Sequence, residues 1–257
     1  MKKTLIALTV AAFAAVSGSA MAAWTPNFLG SGNVKLGGTL TPGEKVVPWE
    51  IQIGNDVQGL DGEVEIGATT ANVKLTKSVP VLGIRTKDKS AFDGGAYLSP
   101  NINYQGAVDM NASYVSGSKS QIKLVVKNKN GEKIGTMSAP FYGVGVISWG
   151  EGAANARAQD KGKVFFGGVP EVEEKVSLDS QGIAKRLISD IADNFDSQGH
   201  EVKGVNWIGS AQPDDKYSGY YAGGILNGDS IQIELDKPAG KDAIEWNAVL
   251  PIDIQYN

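Results

Sequence analysis

The side chains that most often carry catalysis or bind metal ions are scarce in this chain. Among its 257 residues there is no cysteine, and the single histidine is His200. Cysteine and histidine supply most ligands of structural zinc sites, and histidine is the most frequent general acid or base. His200 lies in the sequence Ser-Gln-Gly-His-Glu, whose composition is typical of an exposed loop. We therefore predict no catalytic residue, no metal ligand and no cofactor.

The carboxylates do not form a recognisable catalytic pattern either. The chain contains 28 acidic and 24 basic residues, which gives a formal net charge of −4. No motif pairs two carboxylates in the way that glycoside hydrolysis requires. An acidic chain without basic clusters is not expected to bind nucleic acid or an anionic membrane surface. These features favour a structural or binding protein over an enzyme.

Residues 1–22 have the pattern of an export signal. Lys2 and Lys3 form a basic start, 5–16 is an apolar core, and Ala20-Met21-Ala22 is a small-residue cleavage site. The apolar core is shorter than the ~20 residues that a membrane-spanning helix needs. We therefore predict a cleaved signal peptide and export through the periplasm. Without cysteine, the exported protein must be stabilised by packing and hydrogen bonds instead of disulfides.

Most of the remaining chain alternates apolar and polar residues, which is the period of a half-buried strand. The alternating apolar sets are Val64/Ile66, Val73/Leu75, Ile122/Leu124/Val126, Ile231/Ile233/Leu235 and Leu250/Ile252/Ile254/Tyr256. Such alternation is typical of antiparallel sheets with one wet face. Asn130-Gly131 predicts a hairpin with a type I′ turn, and Asn227-Gly228 predicts a second turn. The fold class is therefore all-β.

One segment departs from this alternation. From Asp179 to Phe195 apolar residues recur at steps of three and four, which predicts a helix with Asp179 or Ser180 as its N-cap and Gly199 just beyond its end. We expect this helix to cover a sheet. It falls within 150–204, which we interpret as an insertion in a single sandwich domain spanning 41–257.

The two ends of the mature chain carry complementary strand patterns. In segment 23–40, one face of a strand would present Gly32, Val34, Leu36, Gly38 and Leu40. Such a strand either begins the protein's own sheet or adds to the sheet of another molecule by β-augmentation. Alternation alone leaves both interpretations open. Near the C-terminus, Leu250, Ile252, Ile254 and Tyr256 share one face of a strand that would form one wall of a groove and pair with an incoming strand.

Six stretches then carry a resemblance to a known family. They are Gly32–Leu40, Trp49–Gly54, Pro80–Lys87, Val126–Gly135, Tyr221–Gly228 and Trp246–Tyr256. In this order they resemble the FaeG-type fimbrial subunits of enteric bacteria and the related ClpG-type surface antigens. The resemblance implies an incomplete Ig-like β-sandwich completed by a donated strand. It also implies a periplasmic chaperone, an outer-membrane usher and a homo-polymer displayed as fimbriae on the cell surface, and it favours 23–40 as the donated strand.

The resemblance further implies that a host glycan could be bound by the inserted segment, as in adhesins of this group. An exposed aromatic ring can stack on a sugar while polar groups hold its hydroxyls. The aromatic candidates are Trp149, Phe165, Phe166, Trp207, Tyr217 and Tyr220, with Asp214 and Asp215 as polar neighbours of Tyr217. Each of these rings could instead pack into the core.

An outer-membrane β-barrel is the alternative class. It shares the signal sequence, the alternating strands and an aromatic residue near the C-terminus. The helical segment and the lack of aromatic girdles count against it.

Overall fold

The computed structural model describes residues 37–39, 47–210 and 212–257. The predicted signal segment lies outside the described residues, as does most of the predicted donor segment, of which only Gly38 among the five face residues is inside. The chain divides into two units, Met1–Glu44 and Lys45–Asn257. The second unit contains the strands and the helix described below.

Strands are the main regular elements of the second unit. They are β1 (Trp49–Ile53), β2 (Thr70–Lys74), β3 (Val79–Thr86), β4 (Phe92–Asp93), β5 (Pro100–Asn103), β6 (Lys119–Lys127), β7 (Lys133–Trp149), β8 (Gly152–Ala156), β9 (Val202–Asn206), β10 (Lys216–Ile225), β11 (Ser230–Leu235), β12 (Asn247–Ala248) and β13 (Asp253–Tyr256). Within the described ranges there is one α-helix, α1 (Ser180–Leu187), and one short 3₁₀ helix, Glu173–Lys175.

Strand β7 connects two halves of the sheet, because it is long enough to pair with different strands along its first and second parts. Its first part pairs with β6 and β11, and its second part pairs with β10 and β8. The first half continues outward to β12 and β2, and the second half continues to β3, β1 and β9. Among the strands given above, all pairings are antiparallel except that of β8 with β9. A separate two-stranded sheet joins β13 to β5.

The two halves of the sheet share one hydrophobic core. Ile122, Met137 and Ile233 from the first half belong to the same buried cluster as Leu82 and Tyr221 from the second. Because side chains alternate between faces of a strand, each half gives one face to this interior. The predicted all-β sandwich carrying one helix is confirmed.

The helix covers the outer face of the second half of the sheet. Ile183, Ala184 and Leu187 pack against Val146 and Tyr220, which point away from the main core. The Asp179 side chain accepts a hydrogen bond from the Gly182 amide at 3.2 Å, so Asp179 is the N-cap. The helix is shorter than predicted, since Ile188 is extended and residues 189–194 form turns. Ile191 and Phe195 nevertheless pack in the same cluster, which explains their helix-like spacing.

The hairpin predicted at Asn130-Gly131 is confirmed, but its turn type is different. The Gly131 amide donates to the Asn128 carbonyl at 3.0 Å, and only Gly131 has a positive φ, 82°. The Asn128 side-chain oxygen also accepts from the amides of Asn130 and Glu132. These bonds fix a turn across 128–131 that ends in a left-handed glycine, whereas a type I′ turn needs positive φ at both central residues.

The strand predicted at Val64/Ile66 is wrong. Glu63 makes a single bridge to Asn72, after which the chain turns, with the Ala68 amide donating to the Glu65 carbonyl at 2.9 Å. Ile66 is consequently left exposed in the turn. No helix of the described part of the chain is long and apolar enough to cross a membrane.

Candidate functional site

The C-terminal segment lies along the core with few backbone partners. Strand β12 pairs with β6 through Asn247 and Ala248, and β13 pairs with β5. The four residues between them, 249–252, belong to no strand. The amide and carbonyl of Asn257 exchange hydrogen bonds with Ser99 at 3.1 Å, which ties down the last residue. The predicted C-terminal strand therefore exists as two short strands with an unpaired middle.

The side chains of this segment form a row, which we name the C-terminal strip. Its members are Trp246, Ala248, Leu250, Ile252, Ile254 and Tyr256, and all six pack against the main core. All six are only half-buried, in contrast to the fully buried Ile122 and Ile231 of the same cluster. The intervening Val249 is 76% exposed. The strip is thus an apolar face turned toward the core and incompletely covered.

The strip also borders the second edge of β13. Among the described residues, no strand pairs with the second edge of β13. An unpaired strand edge presents amides and carbonyls to which another strand can add. Partial burial raises the pKa of the Tyr256 phenol, which keeps that residue neutral. An apolar row beside an open edge can therefore accept an extended segment through both main-chain bonds and side-chain contacts.

A cavity of about 660 Å³ opens where the strip begins. Its apolar lining includes Ile134, Leu235, Ala243 and Ile244, while the 128–133 hairpin gives it a polar rim. The salt bridge between Lys133 and Asp236, 3.5 Å long, lies at this rim and is exposed. An extended segment placed on the strip would therefore meet further apolar surface at this end.

The predicted aromatic candidates do not form one exposed cluster. Phe165, Tyr217 and Tyr220 are buried, which is the core-packing alternative for these three rings. Phe165 packs on Trp49 and on Tyr221, with ring centroids 5.6 Å and 5.7 Å away. Tyr217 packs on Phe92, and Tyr220 meets Phe195 edge-on at 5.3 Å. The presence of an aromatic residue in the sequence does not by itself predict whether its ring lies in the core or on the surface.

The remaining candidates retain some solvent contact. Trp149 and Phe166 are half-buried against the core. Trp207 is 40% exposed, and the Lys163 ammonium lies 3.8 Å from its ring centroid. The Asp215 carboxylate accepts from the amides of Gly150 and Lys216, so one of its oxygens is already engaged. Of the six rings, Trp207 presents the most surface to a ligand.

Two buried tyrosines form the polar centre of the core. The hydroxyls of Tyr104 and Tyr221 are 2.8 Å apart, and both residues are fully buried. Burial raises the pKa of both phenols, so each stays neutral. Gly223 leaves room for the pair, because a Cβ at that position would lie 2.6 Å from one hydroxyl and 2.7 Å from the other.

Removal of one of these hydroxyls is expected to lower the free energy of unfolding by more than removal of both. Tyr221→Phe leaves the Tyr104 hydroxyl buried without a partner, which lowers the free energy of unfolding by about 1–3 kcal/mol. In the double variant Tyr104→Phe/Tyr221→Phe both hydroxyls of the pair are gone, so neither is left buried without its partner and stability partly recovers. Urea unfolding of the wild type, Tyr104→Phe, Tyr221→Phe and the double variant measures the coupling. Strict additivity of the two single losses would contradict the prediction.

Comparison with known proteins matches this architecture to one family over the whole chain. The family described as "Fimbrial, major and minor subunit", of the K88 type, matches residues 1–257. The chain is 30% identical to K88 fimbrial protein AC and 29% identical to K88 fimbrial protein AB, both of Escherichia coli. It is 28% identical to the F41 fimbrial protein of the same organism. Each alignment covers 100% of both chains.

An all-β sandwich with a half-buried C-terminal strip fits the class of structural subunits. The chain belongs to the K88 family of fimbrial subunits. It is a structural subunit of a fimbria, and its relatives imply a location at the cell surface. The predicted resemblance is thereby confirmed.

Proposed function

We propose that this subunit polymerises by donor-strand exchange, with segment 23–40 of one copy lying on the C-terminal strip of the next. The observation that carries the proposal is the row of six half-buried residues from Trp246 to Tyr256, which all pack on the core. A strand with apolar residues at every second position matches the period of this row. In segment 23–40 that period is met by Gly32, Val34, Leu36, Gly38 and Leu40.

The energetics support this arrangement. Burial of Val34, Leu36 and Leu40 against the strip contributes roughly 1.5–3 kcal/mol per side chain. Main-chain bonds to the open edge of β13 add to this and remove an exposed strand edge. The strip would be exposed before assembly. We therefore propose that a periplasmic chaperone binds the strip until an outer-membrane usher delivers the subunit to the growing fibre. Residues 1–22 act as the signal for export in this scheme.

Deletion of residues 23–40 is the direct test. The deletion variant is expected to be exported but to form no fibres, because no copy carries a strand to donate. Electron microscopy of cells that express the variant with its chaperone and usher measures this. A synthetic peptide of 23–40 should bind the purified variant and raise its melting temperature.

A peptide with Leu36→Asp is the matched control for this experiment. It has the same length and differs at one strip-facing position, so it should bind at least about tenfold more weakly, since loss of about 1.4 kcal/mol is a factor of ten. Fibres formed by the deletion variant would show that the strand is not donated from this segment.

A second function, adhesion to host glycans, is favoured by Trp207. This ring is the most exposed of the aromatic candidates and has the Lys163 ammonium beside it. Such a pair offers one surface for stacking and one hydrogen-bond donor to a sugar. Trp207→Ala is expected to lower binding of fimbriae to a glycan array by about tenfold or more, while Tyr97→Ala, an exposed tyrosine elsewhere, should leave it unchanged. Unchanged glycan binding in Trp207→Ala would show that the Trp207 ring does not contact the glycan.

A further inference from the structure

The two Asn-Gly turns have a chemical reactivity that neither polymerisation nor adhesion uses. An asparagine cyclises when the next backbone nitrogen attacks its side-chain carbonyl carbon, which releases ammonia and leaves a succinimide ring. Water then opens the ring to aspartate or to isoaspartate, whose backbone is longer by a methylene. A following glycine favours the attack, because it has no side chain to obstruct it. Both pairs, Asn130-Gly131 and Asn227-Gly228, are exposed to solvent.

The Asn227-Gly228 pair is held by distant parts of the chain. The Arg186 guanidinium donates to the Asn227 side-chain oxygen at 3.4 Å, and the Asn227 amide donates to the Ser78 hydroxyl at 3.1 Å. The attacking nitrogen is itself engaged, since the Gly228 amide donates to the carbonyl of the buried Leu75 at 2.9 Å. Cyclisation at this pair therefore requires contacts with helix α1 and with residues 75–78 to break.

The Asn130-Gly131 pair lies at a hairpin tip, 128–131, that is held mostly by its own residues. The Gly131 amide donates to the Asn128 carbonyl at 3.0 Å, and the Asn128 side chain accepts from the amides of Asn130 and Glu132. From outside the hairpin, the Asn247 side-chain amide donates to the same Asn128 carbonyl at 3.3 Å. Within the described ranges, the Asn130 side chain forms no hydrogen bond. A tip closed by such local bonds opens at a low cost in free energy.

A change at Asn130 alters the cavity of about 660 Å³ beside the C-terminal strip, because Asn130 is part of its lining. The ionisable side chains of this lining are Lys129, Lys133, Lys237, Glu132, Asp236 and Glu245, so their formal charges cancel. Conversion of Asn130 to an acid adds a carboxylate and makes the lining net negative. In isoaspartate the longer backbone also disturbs the bond that closes the hairpin tip.

We propose that Asn130 is a site of spontaneous deamidation in the folded subunit, and that Asn227 is protected from the same reaction by its contacts. The Gly131 nitrogen bonds to the Asn130 side-chain carbon, and the bond from that carbon to the side-chain nitrogen breaks. The proton of the Gly131 amide leaves with this nitrogen as ammonia, and a water molecule hydrolyses the ring. The reaction does not depend on donor-strand exchange, since it needs only the hairpin tip and water.

The test incubates the purified subunit in buffer made with heavy-oxygen water, both folded and unfolded in urea. Peptide mass spectrometry then measures the heavy oxygen incorporated at Asn130 and at Asn227. In the folded subunit Asn130 should react at least about tenfold faster, because about 1.4 kcal/mol less opening free energy raises the open population tenfold. In urea the two rates should converge, since the contacts that protect Asn227 are lost.

Two variants identify the cause of the difference. Arg186→Ala frees the Asn227 side chain and should raise the rate at Asn227 several-fold without changing the rate at Asn130. Asn130→Gln is the matched control, because its longer side chain must close a larger ring, and no heavy oxygen should enter at that position.

Three outcomes would overturn the proposal. One is an equal rate at the two asparagines of the folded subunit, and another is reaction of Asn130 in urea alone. The third is acceleration of both sites in Arg186→Ala, which would show that the stability of the whole fold controls the rate. Fibre formation by the same variants is measured separately by electron microscopy, so a failure of polymerisation does not affect the result.

Discussion

Leu250→Asp is expected to abolish fibre formation. Leu250 lies in the middle of the C-terminal strip, in the stretch 249–252 that has no strand partner. The substitution removes roughly 1.5–3 kcal/mol of apolar contact. It also places a carboxylate where the incoming strand would exclude water, which adds a desolvation cost. Together these effects should lower fibre yield by about 100-fold or more, measured by electron microscopy and by quantification of sheared fimbriae.

The adjacent residue provides the control. Val249→Asp introduces the same charge one position away, but Val249 is 76% exposed and points to the opposite face. Its fibre yield should match the wild type. Leu250→Ala, which adds no charge, should give an intermediate yield and separates loss of contact from desolvation. Equal defects in Leu250→Asp and Val249→Asp would contradict a groove on the strip side.

Trp49→Ala is expected to cause the largest loss of stability of any single substitution considered. Trp49 is buried, and its ring meets Phe92 at 5.2 Å and Phe165 at 5.6 Å, both edge-on. Its indole N–H donates to the Leu98 carbonyl at 2.6 Å. Truncation of a buried tryptophan costs about 3–5 kcal/mol. This is a large fraction of the roughly 5–15 kcal/mol that holds most domains folded.

Guanidinium unfolding measures this effect, with two variants for comparison. Trp49→Phe retains part of the packing but loses the hydrogen bond, so its stability should lie between Trp49→Ala and the wild type. Trp207→Ala removes a partly exposed ring and its contact with Lys163, which is worth about 0.5–1 kcal/mol. Similar losses in Trp49→Ala and Trp207→Ala would contradict the assignment of Trp49 to the core.

The sequence predicts a feature well where one local pattern determines it. Strands β6 and β11 follow directly from alternation, because their inner residues, such as Ile122 and Ile231, are buried or half-buried at every second position. Val64/Ile66 shows the same alternation but not the strand. A pattern of two residues does not encode the turn closed by Glu65 and Ala68, which has its own hydrogen bond.

Features that depend on distant parts of the chain are not predictable in this way. Ile191 and Phe195 have helical spacing because they reach the same apolar surface, but turns bring them there as well as a helix does. The burial of Phe165 depends on Trp49 and Tyr221, which are far away in sequence. The strip of half-buried side chains was predictable as alternation, but its incomplete cover was not.

The sharing of β7 between the two halves of the sheet has a consequence for how the subunit responds to force. One unbroken strand of 17 residues connects the layer next to β6 with the layer next to β10. Neither layer can lose its pairing with β7 without disturbing a strand on which the other depends. Unfolding should therefore be cooperative, with uniform amide-exchange protection on both layers. Under force, a subunit of such a fibre would therefore give way as a whole and not one layer at a time.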